Sequence, residues 1–498
     1  MPVPVEFVDQ NPWWRDAAAI EADPYLVARR KSKAPWDPRI KYTFNWEEDV
    51  VYSLRGPRQV GKTTLLKDMI RNLLNRGVDA RRMFYYTCDL VDNPRELANT
   101  VSRYRDAIRS ESAERLYIFL DEVSSVRDWQ KGIKHLVDTG KLRNVSVVLT
   151  GSHTLDLKGV SERLPGRRGA VVDTPDKILL PMKFGEYAET INAELAKVMR
   201  RLRLPPSWAR QSHLAALGEG ELTPAVQEIM LYGKELEALL ADYVITGGLP
   251  KVIHEYRKNG RIPESVYKTY VDSIVGDVQR WNRRESYLRQ LVGRIVDTLG
   301  NPVGWSTLRQ ETDIASHNTV AEYVDALRDM FVLIYLHQFD LARSTPAYQK
   351  PKRLHFHDPF FLHALRAWGK GGDPFDETED FLRAPENVGH VVEGIAADHV
   401  IRWGFARSPQ KSLFAYENVV FYWRGKKGRE VDFVLRLNRE YLPIEVKYQA
   451  RLAKHDRFGI IDFLKSGKGR GGLLLSRSAS ATAKSVFTIP LAVFLSLI

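Results

Sequence analysis

Gly56-Pro57-Arg58-Gln59-Val60-Gly61-Lys62-Thr63-Thr64, set between the apolar stretch Val50 to Leu54 and the helix-forming run Leu65 to Ile70, decides the fold. Its first eight residues fit G-x-x-x-x-G-K-[ST] at every position, in the strand, loop, helix order that such a loop requires. The glycines let the backbone wrap an anion, the loop amides point inward, and the following helix offers its positive end. Lys62 is expected on the β- and γ-phosphates of ATP, and the Thr63 hydroxyl on Mg²⁺.

Outward from this loop, short apolar strands alternate with helices of ten or so residues. That pattern implies right-handed crossovers and a parallel sheet. Leu116-Tyr117-Ile118-Phe119-Leu120 runs into Asp121 and Glu122, a buried strand that delivers two carboxylates to the edge of the sheet where ligands bind. Asp121 suits the Mg²⁺ shell, and Glu122 suits orienting and deprotonating the attacking water. A third strand, Val147 to Thr150, ends in hydroxyls, with Thr150 and Ser152 placed to sense a γ-phosphate. Charge developing on a transferred phosphoryl group calls for a guanidinium, and Arg163, Arg167 and Arg168 follow in SERLPGRRG.

The chain has 498 residues, enough for about three domains at roughly 150 residues each. Its 44% hydrophobic and 27% charged residues are ordinary globular usage. A formal net charge of +12 favours a polyanionic partner, and DNA is the partner expected. The lone cysteine, Cys88, rules out an intrachain disulfide and fits a reducing cytoplasm. No signal peptide and no membrane-spanning apolar run is visible, so a soluble cytoplasmic protein without membrane contact is expected.

Five segments are expected: a lead-in over 1–45, the P-loop core over 46–185, a helical lid over 186–264, a winged-helix-like segment over 265–345, and an α/β segment over 346–498. The lead-in, rich in tryptophan and proline, reads as irregular with one helix. Within the winged-helix segment, the helix after Ser316-His317-Asn318-Thr319 carries Glu322, Asp325 and Asp329 against Arg328. Three carboxylates there would repel phosphates, which favours packing over base reading. His355, His357 and Asp358 have spacing compatible with a metal site, although a structural role is the favoured reading.

GPRQVGKTTLL, LDEV with DWQKGIKHLVD, LTGS and LPGRRG together resemble a family of archaeal and bacterial AAA-type ATPases. In that family the ATPase precedes a domain resembling the restriction endonucleases, and the GGLP and DPFFLHAL segments here look similar too. The resemblance covers most of residues 45 to 450; the region around 188 to 235 departs from it. With the helical lid and winged-helix order read from the residues, it implies an α/β fold made of an AAA+ P-loop parallel sheet with helical lid, a winged-helix domain and a carboxy-terminal restriction-endonuclease-like α/β domain. It also implies ATP hydrolysis in a homo-oligomer, a hexamer being one such form, with an arginine supplied by a neighbouring subunit.

In the last segment Glu393 lies on a predicted helix, Asp432 on a strand, and Glu445 and Lys447 on the next strand in Pro443-Ile444-Glu445-Val446-Lys447. Period two puts Glu445 and Lys447 on one face. Glu393, Asp432 and Glu445 can hold Mg²⁺ that activates water, and Lys447 can position the water or offset phosphate charge. In a shifted register Glu430 would replace Asp432. The pattern resembles the PD-(D/E)XK nucleases, with Val431 where that motif has proline. Two readings stay open: a Mg²⁺-dependent nuclease, or an inherited fold that only binds DNA or a protein partner. Seven basic residues between Lys447 and Arg470, against Asp456 and Asp462, form a candidate backbone-contacting surface.

Overall fold

A computed structural model of the chain describes residues 4–108, 114–151, 175–202, 211–407, 414–426, 428–483 and 485–498. They form two compact units, Met1–Leu180 and Pro181–Ile498.

The first unit is built on five strands: β1 (Val50–Arg55), β2 (Met83–Thr87), β3 (Leu116–Asp121), β4 (Val145–Thr150) and β5 (Asp176–Ile178). Their spatial order is β2-β3-β4-β1-β5, with every neighbouring pair parallel. β1, β3 and β4 are buried along their whole length, which is why they read as continuous apolar runs instead of alternating ones. Among its described residues the same unit has the α-helices α1 (Val5–Gln10), α2 (Pro24–Lys31), α3 (Lys62–Asn75), α4 (Pro94–Ile108) and α5 (Trp129–Asp138), the last packed against α4. Phe7 of α1, Phe84 of β2, Tyr104 of α4 and Trp129 of α5 share one apolar core with the strands.

The lead-in is more ordered than expected, with two α-helices and three 3₁₀ turns. It closes the open edge of β2 with side chains. Asn11 mimics a paired strand, its Nδ2 donating to the Tyr85 carbonyl at 2.8 Å and its Oδ1 accepting from the Tyr85 amide at 2.6 Å. Gln10 accepts from the Thr87 amide, and the Trp14 indole donates to the Met83 carbonyl. An edge whose amides are spent in this way cannot recruit another strand. The lead-in is also fixed to α3 through Asp68, whose fully buried carboxylate accepts from Arg29 at 3.0 Å, from Lys41 at 2.7 Å and from Arg71.

Among the described residues the second unit holds further helices and an eight-stranded sheet of β7 (Gln338–Asp340), β8 (Thr345–Ala347), β10 (Val420–Arg424), β11 (Glu430–Leu437), β12 (Glu440–Lys447), β13 (Gly472–Ser476), β14 (Ala481–Ala483) and β15 (Val486–Pro490), in the order β14-β15-β13-β12-β11-β10-β7-β8. The helical stretch expected as a lid lies in this unit. Its helices α6 (Phe184–Ile191) and α7 (Gly233–Thr246) pack on the buried carboxy-terminal helix Leu491–Leu497. The turn after α7 is set by Gly247 at φ +60°, where an added Cβ would overlap the Asp358 carboxylate that accepts from the Gly248 amide. The stretch expected to be winged-helix-like runs helix, helix, helix, strand: Glu285–Asp297, Trp305–Arg309, His317–Asp329 and then β6 (Leu333–Leu336). β6 pairs antiparallel with β9 (Arg353–Phe356), and β7 (Gln338–Asp340) with β8 (Thr345–Ala347) joins the large sheet. Among the described residues no helix is long and apolar enough to cross a membrane.

Burial opposes ionisation of Asp68, and its pairing with Arg29 and Lys41 overcomes this, leaving its carboxyl below the ordinary range. A carboxyl depressed in the folded state stabilises above its unfolded value of about 4 and loses that contribution as pH falls through the folded value. Asp68→Ala, which removes the buried carboxylate shared by Arg29, Lys41 and Arg71, is expected to cost about 3–5 kcal/mol at neutral pH. Denaturant unfolding followed from neutral to acid pH checks this, and the gap between wild type and variant should narrow as the solution becomes acidic.

Candidate functional site

The phosphate loop joins β1 to α3 with the backbone its sequence demands. Gly61 sits at φ +104°, and Gln59 also lies in the left-handed region at φ +61°. Gly56 has φ +153°, and a Cβ there would overlap the Leu179 carbonyl oxygen, so only glycine closes the base of the loop. The buried Lys62 ammonium donates to the carbonyls of Gly56 at 3.1 Å and Pro57 at 3.0 Å, folding over the mouth of the loop. α3 starts at Lys62, so its first amides and positive dipole end face the loop.

Opposite stands Asp121, 3% exposed at the end of β3. Its Oδ2 accepts from the Thr63 hydroxyl at 2.7 Å and from the Tyr85 phenol at 2.9 Å. Its Oδ1 accepts from the Thr150 hydroxyl, which in turn accepts from the Glu122 amide at 3.0 Å. Thr63, Asp121 and Thr150 are therefore joined in one network. The Thr150 hydroxyl is used to hold Asp121 and Glu122. Glu122 follows in a left-handed turn at φ +52°, a costly backbone state for a non-glycine residue, with its side chain half-buried. Ser152, Arg163, Arg167 and Arg168 lie outside the described residues.

The loop and the Thr63–Asp121 pair fit a magnesium nucleotide. A glycine cradle with inward amides suits the phosphates, and a hydroxyl beside a carboxylate is an all-oxygen donor set suited to a hard divalent cation.

The second acidic centre lies on β11 (Glu430–Leu437) and β12 (Glu440–Lys447), antiparallel neighbours in the large sheet. The Val446 amide donates to Asp432 Oδ2 at 2.8 Å, and Lys447 Nζ donates to Glu445 Oε1 at 2.7 Å. Glu393 comes from the helix Pro385–Arg407, which packs on β9 and β11. All four residues expected from the sequence meet here.

A fifth, unexpected residue stands among them. Arg353 of β9, 3% exposed, donates to Asp432 at 2.5 Å, to Glu393 at 3.2 Å and to Glu430. Burial and the neighbouring Asp432 carboxylate push the Glu393 and Glu445 carboxyls up. Burial works against the Lys447 ammonium, but Asp432 and Glu445 outweigh it and hold Lys447 above its ordinary value. With a guanidinium bonded to three of the carboxylates, the centre does not fit a divalent ion in this arrangement. Among the described residues no group of three or more histidine, cysteine or acidic side chains is poised to hold a metal.

His355, His357 and Asp358 go separate ways. The His357 ring bonds Asp398 at 2.7 Å, Asp358 caps the helix Pro359–Trp368 at the Phe360 amide, and burial pushes the His355 imidazole down to about 3.

Two site residues escaped the sequence reading, Tyr85 and Arg353. A cation heading the short strand Arg353–Phe356 was the available signal, since a buried charge needs partners. Tyr85 offered none, being one of several aromatics on β2.

Residues 48–188 match the family described as AAA domain. Residues 237–371 match a domain of unknown function, DUF8612, and residues 388–494 another, DUF4143. An uncharacterized protein of Haemophilus influenzae is 20% identical over 420 residues, covering 82% of this chain and 85% of that one. An uncharacterized protein of Methanocaldococcus jannaschii is 23% identical over 342 residues, covering 64% of this chain and 65% of its own length. The Walker-type ATPase of Pyrococcus abyssi is 16% identical, with 64% of this chain and 91% of that chain covered at a TM-score of 0.36. The AAA match, on a parallel sheet bearing a complete phosphate loop, supports an AAA-type ATPase.

Because Arg353 already supplies the positive charge, Mg²⁺ without nucleotide is expected to leave the melting temperature of the wild type unchanged. Arg353→Met removes the guanidinium shared by the buried Asp432 and the half-buried Glu393 and Glu430, should cost about 3–5 kcal/mol, and should regain part of that on adding Mg²⁺. Thermal unfolding of both proteins against a Mg²⁺ series reads this out. A wild type that Mg²⁺ stabilises would contradict the assignment.

Proposed function

We propose that this chain is an ATP-hydrolysing AAA+ switch that acts on DNA through its second unit, and that its nuclease-like centre engages that partner without cutting it. The observation that supports the ATPase reading is the Thr63–Asp121 pair set against the phosphate loop. Bound ATP and Mg²⁺ supply a scissile phosphoanhydride and a Lewis acid. On the protein side, Lys62 and the loop amides bind and orient the phosphates. Thr63 and Asp121 hold the metal. Glu122 orients the attacking water and accepts its proton at a carboxylate oxygen. Arg163 or Arg167, acting from a neighbouring subunit of a homo-oligomer such as a hexamer, would offset the developing charge.

DNA as partner rests on the charge surplus and on the exposed Arg451 and Lys454, which follow the centre along the chain. In the winged-helix-like segment the carboxylates of His317–Asp329 have side-chain partners on the protein itself. Asp325 accepts from the Tyr335 phenol and pairs with Arg328, and Glu322 lies 3.8 Å from Arg283. That supports a packing role for this helix. The absence of cutting rests on Arg353 among the carboxylates.

Lys62→Ala should abolish binding of a fluorescent ATP analogue, and Glu122→Gln should bind ATP and turn it over at least about a hundredfold more slowly. Normal turnover in both variants would refute the site. Wild type incubated with supercoiled, branched and single-stranded DNA in Mg²⁺ or Mn²⁺ should bind without cleaving. Cleavage abolished by Glu445→Ala would restore the nuclease reading.

A further inference from the structure

The residues before the matched AAA segment do more than cover an edge. Asn11 holds both the amide and the carbonyl of Tyr85, at 2.6 and 2.8 Å. The Lys67 ammonium of α3 lies 3.3 Å from the centre of the Tyr85 ring and 5.0 Å from that of Trp13. The same ammonium sits 3.6 Å from Asp23, whose carboxylate caps α2 at the Tyr25 and Leu26 amides. Tyr85 is thus fixed along its backbone by Asn11 and across its ring by Lys67, itself steered by Trp13 and Asp23. The far end of this tyrosine is the phenol that donates to Asp121 Oδ2, the oxygen that also accepts from Thr63.

We infer that Tyr85 is a positioning residue for the metal-binding carboxylate and that residues 7–45 are a working part of the nucleotide site, acting on Asp121 through Tyr85. This rests on the ATPase reading above. The physical basis is geometric. A carboxylate at a strand end turns about its Cβ–Cγ bond, and two neutral donors from different strands, Tyr85 on β2 and Thr150 on β4, fix its plane. Being neutral, they orient Asp121 and leave its charge available to a cation. With Tyr85 withdrawn, Thr63 alone shares Oδ2, and the carboxylate turns away from the position in which it meets the metal. A hydrogen bond to an ionised group is the strong kind, so its loss should be felt about tenfold.

The test uses the full chain and a fluorescent ATP analogue carrying a methylanthraniloyl group. Tyr85→Phe keeps the ring under Lys67 and removes only the hydroxyl. It should raise the Mg²⁺ concentration needed for half-maximal hydrolysis about tenfold while leaving analogue affinity in EDTA unchanged. A merely structural role would lower that affinity as well. Asn11→Ala should shift the Mg²⁺ requirement the same way by about threefold, and the double variant should shift it no further than Tyr85→Phe alone, the mark of a shared path. Lys67→Met serves in place of Asn11→Ala if that variant fails to fold. Analogue binding by wild type with an unaltered Mg²⁺ requirement in Tyr85→Phe overturns the positioning role and leaves the ATPase reading standing. A wild type that binds no analogue at any Mg²⁺ level overturns the ATPase reading itself.

Discussion

A carboxylate carried to the buried end of a parallel strand has lost most of its water, and it is tolerable only where donors replace that water. Asp121 meets this demand with three hydroxyls, from Thr63 at the start of α3, Tyr85 on β2 and Thr150 on β4. Each donor comes from a different element, so satisfying one charge ties together the loop helix, the edge strand and the centre of the sheet. Because β2 is an edge, its contribution depends in turn on the residues that close it. The Asn11 and Gln10 side chains take up its amides, and Lys41 and Arg29 secure the same segment to α3 through Asp68. The nucleotide corner and the amino-terminal segment are therefore one mechanical piece.

The second unit solves the same problem by other means. There the carboxylates of Glu393, Glu430 and Asp432 converge on a guanidinium, and Glu445 on an ammonium. The contrast lies in the charge of the donors. Hydroxyls satisfy the hydrogen-bonding capacity of Asp121 and leave its negative charge for a cation to neutralise. Arg353 satisfies both at once, so a divalent ion entering this centre would have to expel a buried, multiply bonded side chain. Two acidic sites in one chain thus differ in the charge of the donors that surround the acids.

Such networks also restrict what the chain can vary. Gly56 and Gly247 are fixed by close backbone or carboxylate approach, and Glu122 occupies a left-handed turn that its neighbours enforce. Strain of this kind persists only where surrounding contacts over-determine it. The contacts here are the Thr150 hydroxyl on the Glu122 amide and the Ser125 hydroxyl on the Glu122 carbonyl.

Local sequence determined the phosphate loop, the strand bearing Asp121 and Glu122, and the facing strands of Asp432, Glu445 and Lys447. In each case a strand, turn and helix or a two-residue period sets the geometry within a few positions. The tertiary structure alone decided that Tyr85 reaches Asp121 across 36 residues and that Arg353 reaches Asp432 across 79. It also decided that the lead-in closes β2 and that the helices after Pro181 belong with the last strands. The reason is that periodicity says which face a side chain occupies, and nothing in it says which distant face will be folded against that one. Long-range partners are chosen by the need to neutralise charges and satisfy donors once burial has removed water, and that need arises only when the chain has closed on itself.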